Sequence, residues 1–250
     1  MAPFIGANSL PPAKSGIAVI QFSHVTKIYD EQFTALSHVS LFIDKGEFLF
    51  LTGASGAGKT TLLKHIYMEE VPTRGQVFVC GHDSKYIRRK EIPFLRRKLG
   101  IVFQDFRLLH DRSVFENVAF ATRVTGVDER RMKRRVYDVL SLTGLSHKCT
   151  YYPAQLSGGE QQRVCIARAI VNDPWVVLAD EPTGNLDMEV SREILALLQE
   201  INSWGTTVLL ATHDLHLIES FHYRRLVLNR GTLVKGGDAS VKPKAWEMKL

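Results

Sequence analysis

A chain of 250 residues, 45% hydrophobic and 23% charged, has enough apolar material for one α/β domain or a domain with a small appended lobe. Its longest unbroken apolar stretches, such as Trp175–Ala179 and Val208–Ala211, fall far short of the ~20 residues a membrane-crossing helix needs. The N-terminus shows no basic region followed by an apolar run, so no secretory signal is expected.

The net charge of +6, from 32 Lys+Arg against 26 Asp+Glu, favours anionic partners in general. Much of the excess lies in Arg88-Arg89-Lys90 with Arg96-Arg97-Lys98, and in Arg130-Arg131 with Lys133-Arg134-Arg135, which read as solvated helical faces. Cys80, Cys149 and Cys165 are odd in number and lack metal-ligand spacing, as expected of buried thiols in a reducing compartment. A soluble, cytosolic protein is the expectation, with any membrane role exercised through a partner.

Residues 1–17 mix Gly, Pro, Ser, Asn and Ala without periodicity and are expected to form a flexible extension. Val19, Gln21, Phe22, His24 and Val25 predict a first strand over Ala18–Tyr29. Val39, Leu41 and Ile43, alternating with polar neighbours, predict a second before Lys45-Gly46-Glu47. Phe48–Thr52 is a continuous apolar run of strand length, as a buried parallel strand requires. A glycine-rich loop follows, then Thr61–Glu70 as a predicted helix stopped by Pro72.

Beyond Gln104 the pattern turns helical. Asp128–Gly144 places Met132, Val136, Val139 and Leu140 at i, i+4, i+7 and i+8, with the arginines opposite. Residues from about 105 to 172 are therefore expected to form a helical lobe inserted into a domain spanning 18–235. Trp175–Ala179 returns to buried strand. Asp187–Asn202 is a second amphipathic helix, with Val190, Ile194, Leu197, Leu198 and Ile201 on one face. Thr207–Thr212 reads as a strand, and Leu226–Leu228 with Thr232–Val234 as a closing hairpin across Arg230-Gly231. The lysine-bearing tail, 236–250, is expected to be loosely ordered.

Three segments carry chemistry. In the first, Gly53-Ala54-Ser55-Gly56-Ala57-Gly58-Lys59-Thr60, followed by Thr61, glycines let backbone N–H groups converge on an anion and the next helix adds its positive end. Lys59 can reach the β- and γ-phosphates of a nucleotide, and the Thr60 hydroxyl can ligate Mg²⁺. In the second, an apolar strand ends at Asp180, whose carboxylate can hold Mg²⁺ directly or through water, while Glu181 can serve as general base to an attacking water. The third, Leu156-Ser157-Gly158-Gly159-Glu160, matches the S-x-x-E box that caps many helices. Capping leaves unexplained two glycines in the first turn, at about 1 kcal/mol each relative to alanine; bare backbone there suits close approach to a phosphate.

The order of these segments, with Gln104, Asn185-Leu186-Asp187 and His213, resembles the ATP-binding cassette (ABC) ATPases over almost the whole chain beyond residue 18. The resemblance implies an α/β fold: a P-loop ABC ATPase core with a mostly parallel sheet, an N-terminal antiparallel β subdomain and an inserted helical subdomain. It implies a head-to-tail homodimer with ATP and Mg²⁺ at the interface, between one copy's phosphate loop and the other's signature loop, Ser157-Gly158-Gly159-Glu160. Ser157 and Gly159 would then contact the γ-phosphate bound by the opposite copy. Gln104 matches the lid glutamine that senses Mg²⁺ and the attacking water, His213 the histidine that steadies the γ-phosphate, and Asp187 the loop linking the two sites. Tyr29 matches the adenine-stacking aromatic, although an aromatic at a strand end is also ordinary core.

A narrower resemblance runs through Glu91–Arg97, Ile101–Leu109 and Ser113–Ala119, and agrees at Ala211-Thr212-His213-Asp214. These segments are similar to the FtsE family of bacterial cell-division ABC ATPases. The LolD and MacB families share the Gln-to-Leu-Leu spacing, but usually neither Gln-Asp-Phe-Arg nor Pro-Phe-Leu-Arg-Arg. The FtsE resemblance implies an FtsX-like integral membrane subunit as partner, regulation of cell-wall hydrolysis as the output, and a peripheral place on the cytoplasmic face of the inner membrane. The alternative is a lipoprotein-releasing or efflux complex of LolD or MacB type.

Phe106, Leu108, Leu109, Val114 and Phe115, just after Gln104, are candidates for an exposed apolar groove that receives a short helix of the membrane subunit, though each also suits a core. No nucleic-acid partner is expected. DNA-handling ABC ATPases carry a long coiled coil between lid glutamine and signature, whereas Gln155 follows Gln104 by only 51 positions here, without sustained heptads. A slow binding switch also stays open, because Glu181 argues for hydrolysis without setting its rate.

Overall fold

Two kinds of strand pattern produce two sheets. The computed structural model describes residues 18–30, 32–219 and 221–237; the expected extension 1–17 and the tail beyond residue 237 lie outside the described residues. Alternating strands β1 (Ala18–Tyr29), β2 (Phe33–Asp44), β4 (Arg74–Val79) and β5 (His82–Asp83) form an antiparallel sheet in the order β2-β1-β4-β5. The continuously apolar strands go elsewhere. A six-stranded sheet, in the order β10-β9-β3-β8-β7-β6, joins β3 (Phe48–Thr52), β6 (Leu99–Val102), β7 (Val176–Asp180), β8 (Thr207–Thr212), β9 (Arg224–Asn229) and β10 (Thr232–Lys235). All its pairings are parallel except β10 with β9.

Parallel strands buried on both faces need apolar cover twice, and the cover divides cleanly. Phe48, Phe50, Val177, Ala179, Val208 and Leu210 face one core, shared with α3 (Val114–Arg123), α4 (Glu129–Leu142), α5 (Gly158–Ile170) and α6 (Met188–Ser203). Leu49, Leu51, Val176, Leu178, Leu209 and Ala211 face the other, shared with the antiparallel sheet and α1 (Lys59–Ile66). Full burial of each such side chain contributes roughly 1.5–3 kcal/mol, so the central strands anchor both layers.

Between β6 and β7, which are direct neighbours in register (Leu99 beside Val176), the chain leaves the sheet and forms α3, α4 and α5. Helix α4 starts at Asp128, whose carboxylate accepts the Arg131 N–H at 3.0 Å, and buries Met132, Val136 and Leu140. Its basic residues stay outward, with Lys133 paired to Glu129 at 2.8 Å. Such an exposed i,i+4 pair is worth only about 0.3–0.5 kcal/mol, so burial of the apolar stripe holds this helix in place.

Two expectations are corrected. The helix after the glycine loop ends at Ile66, not near Pro72, because Met68 turns left-handed (φ 52°) and the Arg96 guanidinium binds the freed carbonyls of Tyr67 and Met68. The candidate groove after Gln104 is also turned inward. Leu108 and Val114 are buried, and Phe106 and Phe115 pack half-buried on the same core. The cause is Asn117, fully buried on α3, whose amide binds the carbonyls of Leu109, Arg112 and Ser113 while its oxygen accepts the Leu109 N–H, folding the loop onto the helix. Exposed apolar side chains near this region include Phe94, Phe120 and Val124.

His65 on α1 is 0% exposed. Its Nδ1 lies 2.7 Å from the Thr61 carbonyl, its ring packs near Phe22, and its Nε2 has no partner. Burial pushes the imidazole below its ordinary value of 6.5, reinforced by Lys27 and opposed by the Thr61 bond and Glu70. The folded state thus resists a proton that the unfolded chain accepts, so His65 allows full stability above about pH 6.5 and removes it as pH falls through that value. The urea midpoint should drop from about pH 7.5 to about pH 5.5, and His65→Leu should flatten that slope; an unchanged slope in the variant would exclude His65 as its source.

Candidate active site

The register of three parallel strands decides where the site forms. Thr52 at the end of β3 pairs with Thr212 at the end of β8, and Ala211 of β8 pairs with Asp180 at the end of β7. The glycine loop, Glu181 and His213 therefore leave the same carboxyl edge, the usual binding edge of such a sheet.

Within the loop, Gly56 and Gly58 take positive φ values of 76° and 104°. Gly58 could not accept a side chain, since a Cβ would sit 2.6 Å from the Ala35 carbonyl oxygen on β2. The antiparallel sheet thus presses on the loop and fixes its path into α1. Lys59, only 7% exposed, folds back so that Nζ donates to the carbonyls of Gly53 at 2.8 Å and Ala54 at 3.3 Å.

The same ammonium lies 3.3 Å from Glu181 Oε1. Glu181 is 8% exposed and left-handed (φ 47°), a backbone conformation costing on the order of 1–3 kcal/mol outside glycine. Its N–H donates to the Ala211 carbonyl, which clamps that turn at 2.9 Å. His213 Nδ1 stands 2.9 Å from the same Oε1, and the His213 backbone N–H donates to Oε2 at 3.3 Å. A buried carboxylate held between a lysine and a histidine has its charge matched and its direction fixed.

Asp180 differs. Its Oδ2 accepts the Thr60 hydroxyl at 2.9 Å, while its Oδ1 is buried without a partner. Burial pushes the Asp180 carboxyl up, with Glu181 adding to the rise and Thr60 and Lys59 opposing it. An alcohol and an under-bonded carboxylate at the head of an anion-binding loop suit Mg²⁺, which takes hard oxygen ligands. Among the described residues no group of three or more His, Cys, Asp and Glu side chains could hold a metal. A Mg²⁺ ion held by Thr60 and Asp180 would draw its other ligands from elsewhere, as when Mg²⁺ is shared with substrate phosphates.

The remaining candidates fall in four places. Tyr29, at the end of β1, lies near Thr61 of the loop's helix and near Glu70, and burial raises its phenol above the ordinary value. Gln104 is exposed just past β6. Ser157 caps α5, its hydroxyl accepting the Glu160 N–H at 3.3 Å while Glu160 Oε2 accepts the Ser157 N–H at 2.9 Å. Asp187 caps α6 through the Val190 N–H at 2.9 Å. Among the described residues no hydrogen bond or ion pair joins Ser157–Glu160 to the glycine loop; the two stand apart within one copy.

The two glycines of the signature segment have a reason inside the chain that the sequence did not reveal. A Cβ on Gly159 would come 2.5 Å from Val190 Cγ1, and one on Gly158 would come 3.3 Å from Leu186 Cδ2. Bare backbone lets α5 seat directly on the start of α6. Lys148 was also missed: it pairs with Glu160 at 2.5 Å, and no motif marks a lysine twelve positions upstream of its carboxylate. Gly159→Ala should cost roughly 1–3 kcal/mol by overpacking, and Val190→Ala in the same chain should restore the melting temperature. A fully stable Gly159→Ala single variant would overturn this packing account.

Comparison with known proteins fits this geometry. The family described as ABC transporter matches residues 36–184. The cell division ATP-binding protein FtsE of Bacillus subtilis is 50% identical over 217 residues, 87% of this chain and 95% of that one. The protein of the same name from Escherichia coli K12 is 50% identical over 218 residues, covering 87% and 98%. Among solved structures, a dimeric post-hydrolysis state of the ATP-binding cassette MJ0796 bound to ADP and Pi superposes with a TM-score of 0.78 at 34% identity, over 86% of this chain and 97% of that one. Cbi-type cassette cbiO1 of Clostridium perfringens gives 0.81 at 30% identity, covering 88% of each chain. The chain therefore belongs to the ABC transporter family of ATPases, among its FtsE-like members.

Proposed function

We propose that two copies of this chain bind ATP and Mg²⁺ between them, hydrolyse the nucleotide, and drive an FtsX-like membrane subunit in bacterial cell division and the regulation of cell-wall hydrolysis. The observation that carries the catalytic reading is Glu181, buried and held by Lys59 and His213 beside the under-bonded Asp180.

In this reading the loop N–H groups of Gly53–Thr61 cradle the phosphates and Lys59 turns from Glu181 to the β- and γ-phosphates. Glu181 accepts the proton of the attacking water, and His213 steadies the γ-phosphate while its Nδ1 keeps Glu181 aimed. Thr60, Asp180 and Gln104 would hold Mg²⁺, whose chemistry there would be charge neutralisation at the phosphate oxygens. Tyr29 stacks on the adenine.

The start of α5 supports the dimer, since Ser157 and Gly158 are exposed and the positive end of the helix faces outward. In the sandwich, the partner's Ser157 and Gly159 complete the γ-phosphate site, and Asp187 joins the two sites across the interface. Two similar MJ0796 cassette structures are dimeric, one of them bound to ADP and Pi, which supports the two-copy reading.

A cleft of about 390 Å³ between α2 (Ile92–Arg96), β6, α3 and α5 supports the membrane partner. Arg96, Arg97, Ile101, Val124 and Arg168 line it, and exposed Phe94 and Phe120 lie on the helices forming its walls. An amphipathic helix with acidic residues fits such a groove. Among the described residues no helix is long and apolar enough to cross a membrane, so membrane attachment would come through this cleft, on the cytoplasmic face.

Lys59→Ala should abolish nucleotide binding or turnover, and an undiminished ATPase rate would refute the site. Glu181→Gln should bind ATP, hydrolyse it poorly and elute as a dimer with ATP and Mg²⁺; a variant that stays monomeric would count against the sandwich. Affinity capture from solubilised membranes should recover an FtsX-like subunit. Recovery of a lipoprotein-releasing or efflux permease would instead assign the LolD or MacB role.

A further inference from the structure

We infer that Arg168 is a positioning residue for ATP hydrolysis, setting the place of Gln104 by gripping the backbone just beyond it. This inference rests on the proposed role of Gln104 as lid glutamine.

Arg168 lies in the last part of α5, and its guanidinium binds two main-chain carbonyls, Nη2 to Phe106 at 2.7 Å and Nη1 to Arg107 at 2.5 Å. Among the described residues no carboxylate lies within ion-pair distance of it. Burial pushes its pKa below the ordinary arginine value, so a costly charge is maintained here for two backbone oxygens. Cys165, one turn earlier, adds its thiol to the Phe106 carbonyl at 3.1 Å.

The gripped residues are unusual. Phe106 and Arg107 are consecutive non-glycine residues at φ 54° and 50°, a conformation that persists only when neighbouring contacts over-determine it. Gln104 makes no side-chain hydrogen bond among the described residues and is exposed, so the backbone around it sets where its amide points. Arg107 also lies over the Phe103 ring at 4.0 Å and pairs with Asp105 at 3.2 Å, closing the loop on both sides of Gln104. The helix that carries Ser157 at its start thus carries, three turns on, the clamp on the lid. Arg168 also lines the cleft of the proposed partner.

The test compares Arg168→Gln, Arg168→Lys, Gln104→Ala and the Gln104→Ala/Arg168→Gln double variant. Turnover, nucleotide affinity, the Mg²⁺ concentration for half-maximal rate and thermal stability are measured on each purified chain. Arg168→Gln should bind nucleotide within about twofold of the parent yet lose about tenfold to a hundredfold in turnover, with a raised Mg²⁺ requirement. Arg168→Lys should recover part of the rate, and the double variant should be no slower than the slower single one. Parental turnover in Arg168→Gln alongside an impaired Gln104→Ala would overturn the clamp, as would additive losses or a failure of both Arg168 variants to fold. Parental turnover in Gln104→Ala would overturn the lid reading itself, and this inference with it.

Discussion

The parallel register of β3, β8 and β7 is the constraint on which the rest depends. By aligning Thr52, Thr212 and Asp180 at one sheet edge, it brings together groups separated by more than a hundred residues. Lys59 and Glu181 meet only because their strands end level with a third strand between them. The apolar faces that enforce this alignment are Phe50, Leu210 and Ala179 on one side and Leu51, Ala211 and Leu178 on the other. A one-residue slip would exchange those faces, so packing protects the site's geometry.

Inside that frame the charges are arranged as an internally balanced set with one deficit. Glu181 is satisfied by Lys59 and His213, whereas Asp180 keeps a buried oxygen with no donor. The imbalance distinguishes the two adjacent carboxylates, consistent with the different tasks proposed for them. Neighbours in sequence point to different neighbours in space because the chain turns left-handed at Glu181.

The helical insertion is tied to the sheet at two ends of one helix. At its start, α5 touches α6 through Gly159 and Val190; near its end, Arg168 and Cys165 hold the loop that leaves β6. The signature segment, the loop beyond Gln104 and one wall of the cleft are thus all attached to the same helix.

Much of this was legible without coordinates. The apolar runs at 48–52, 175–179 and 207–212 marked buried strands because such strands leave no polar face, and the stripe of Met132, Val136, Val139 and Leu140 marked α4. Strands β4 and β6 were not legible: Arg74–Val79 is held by pairing with β1, some sixty positions away (Ile20 beside Val79), and Leu99–Val102 is too short to show a period. The groove after Gln104 was misplaced because Asn117 turns those apolar side chains inward, which no spacing records. The sequence by itself determined the continuously apolar strands, the cap at Ser157 and the reactive residue types, since these depend on local propensity and periodicity. Only the tertiary structure decided which of them meet, why Gly159 must lack a side chain and what grips the backbone beyond Gln104, because those depend on contacts between segments far apart in the chain.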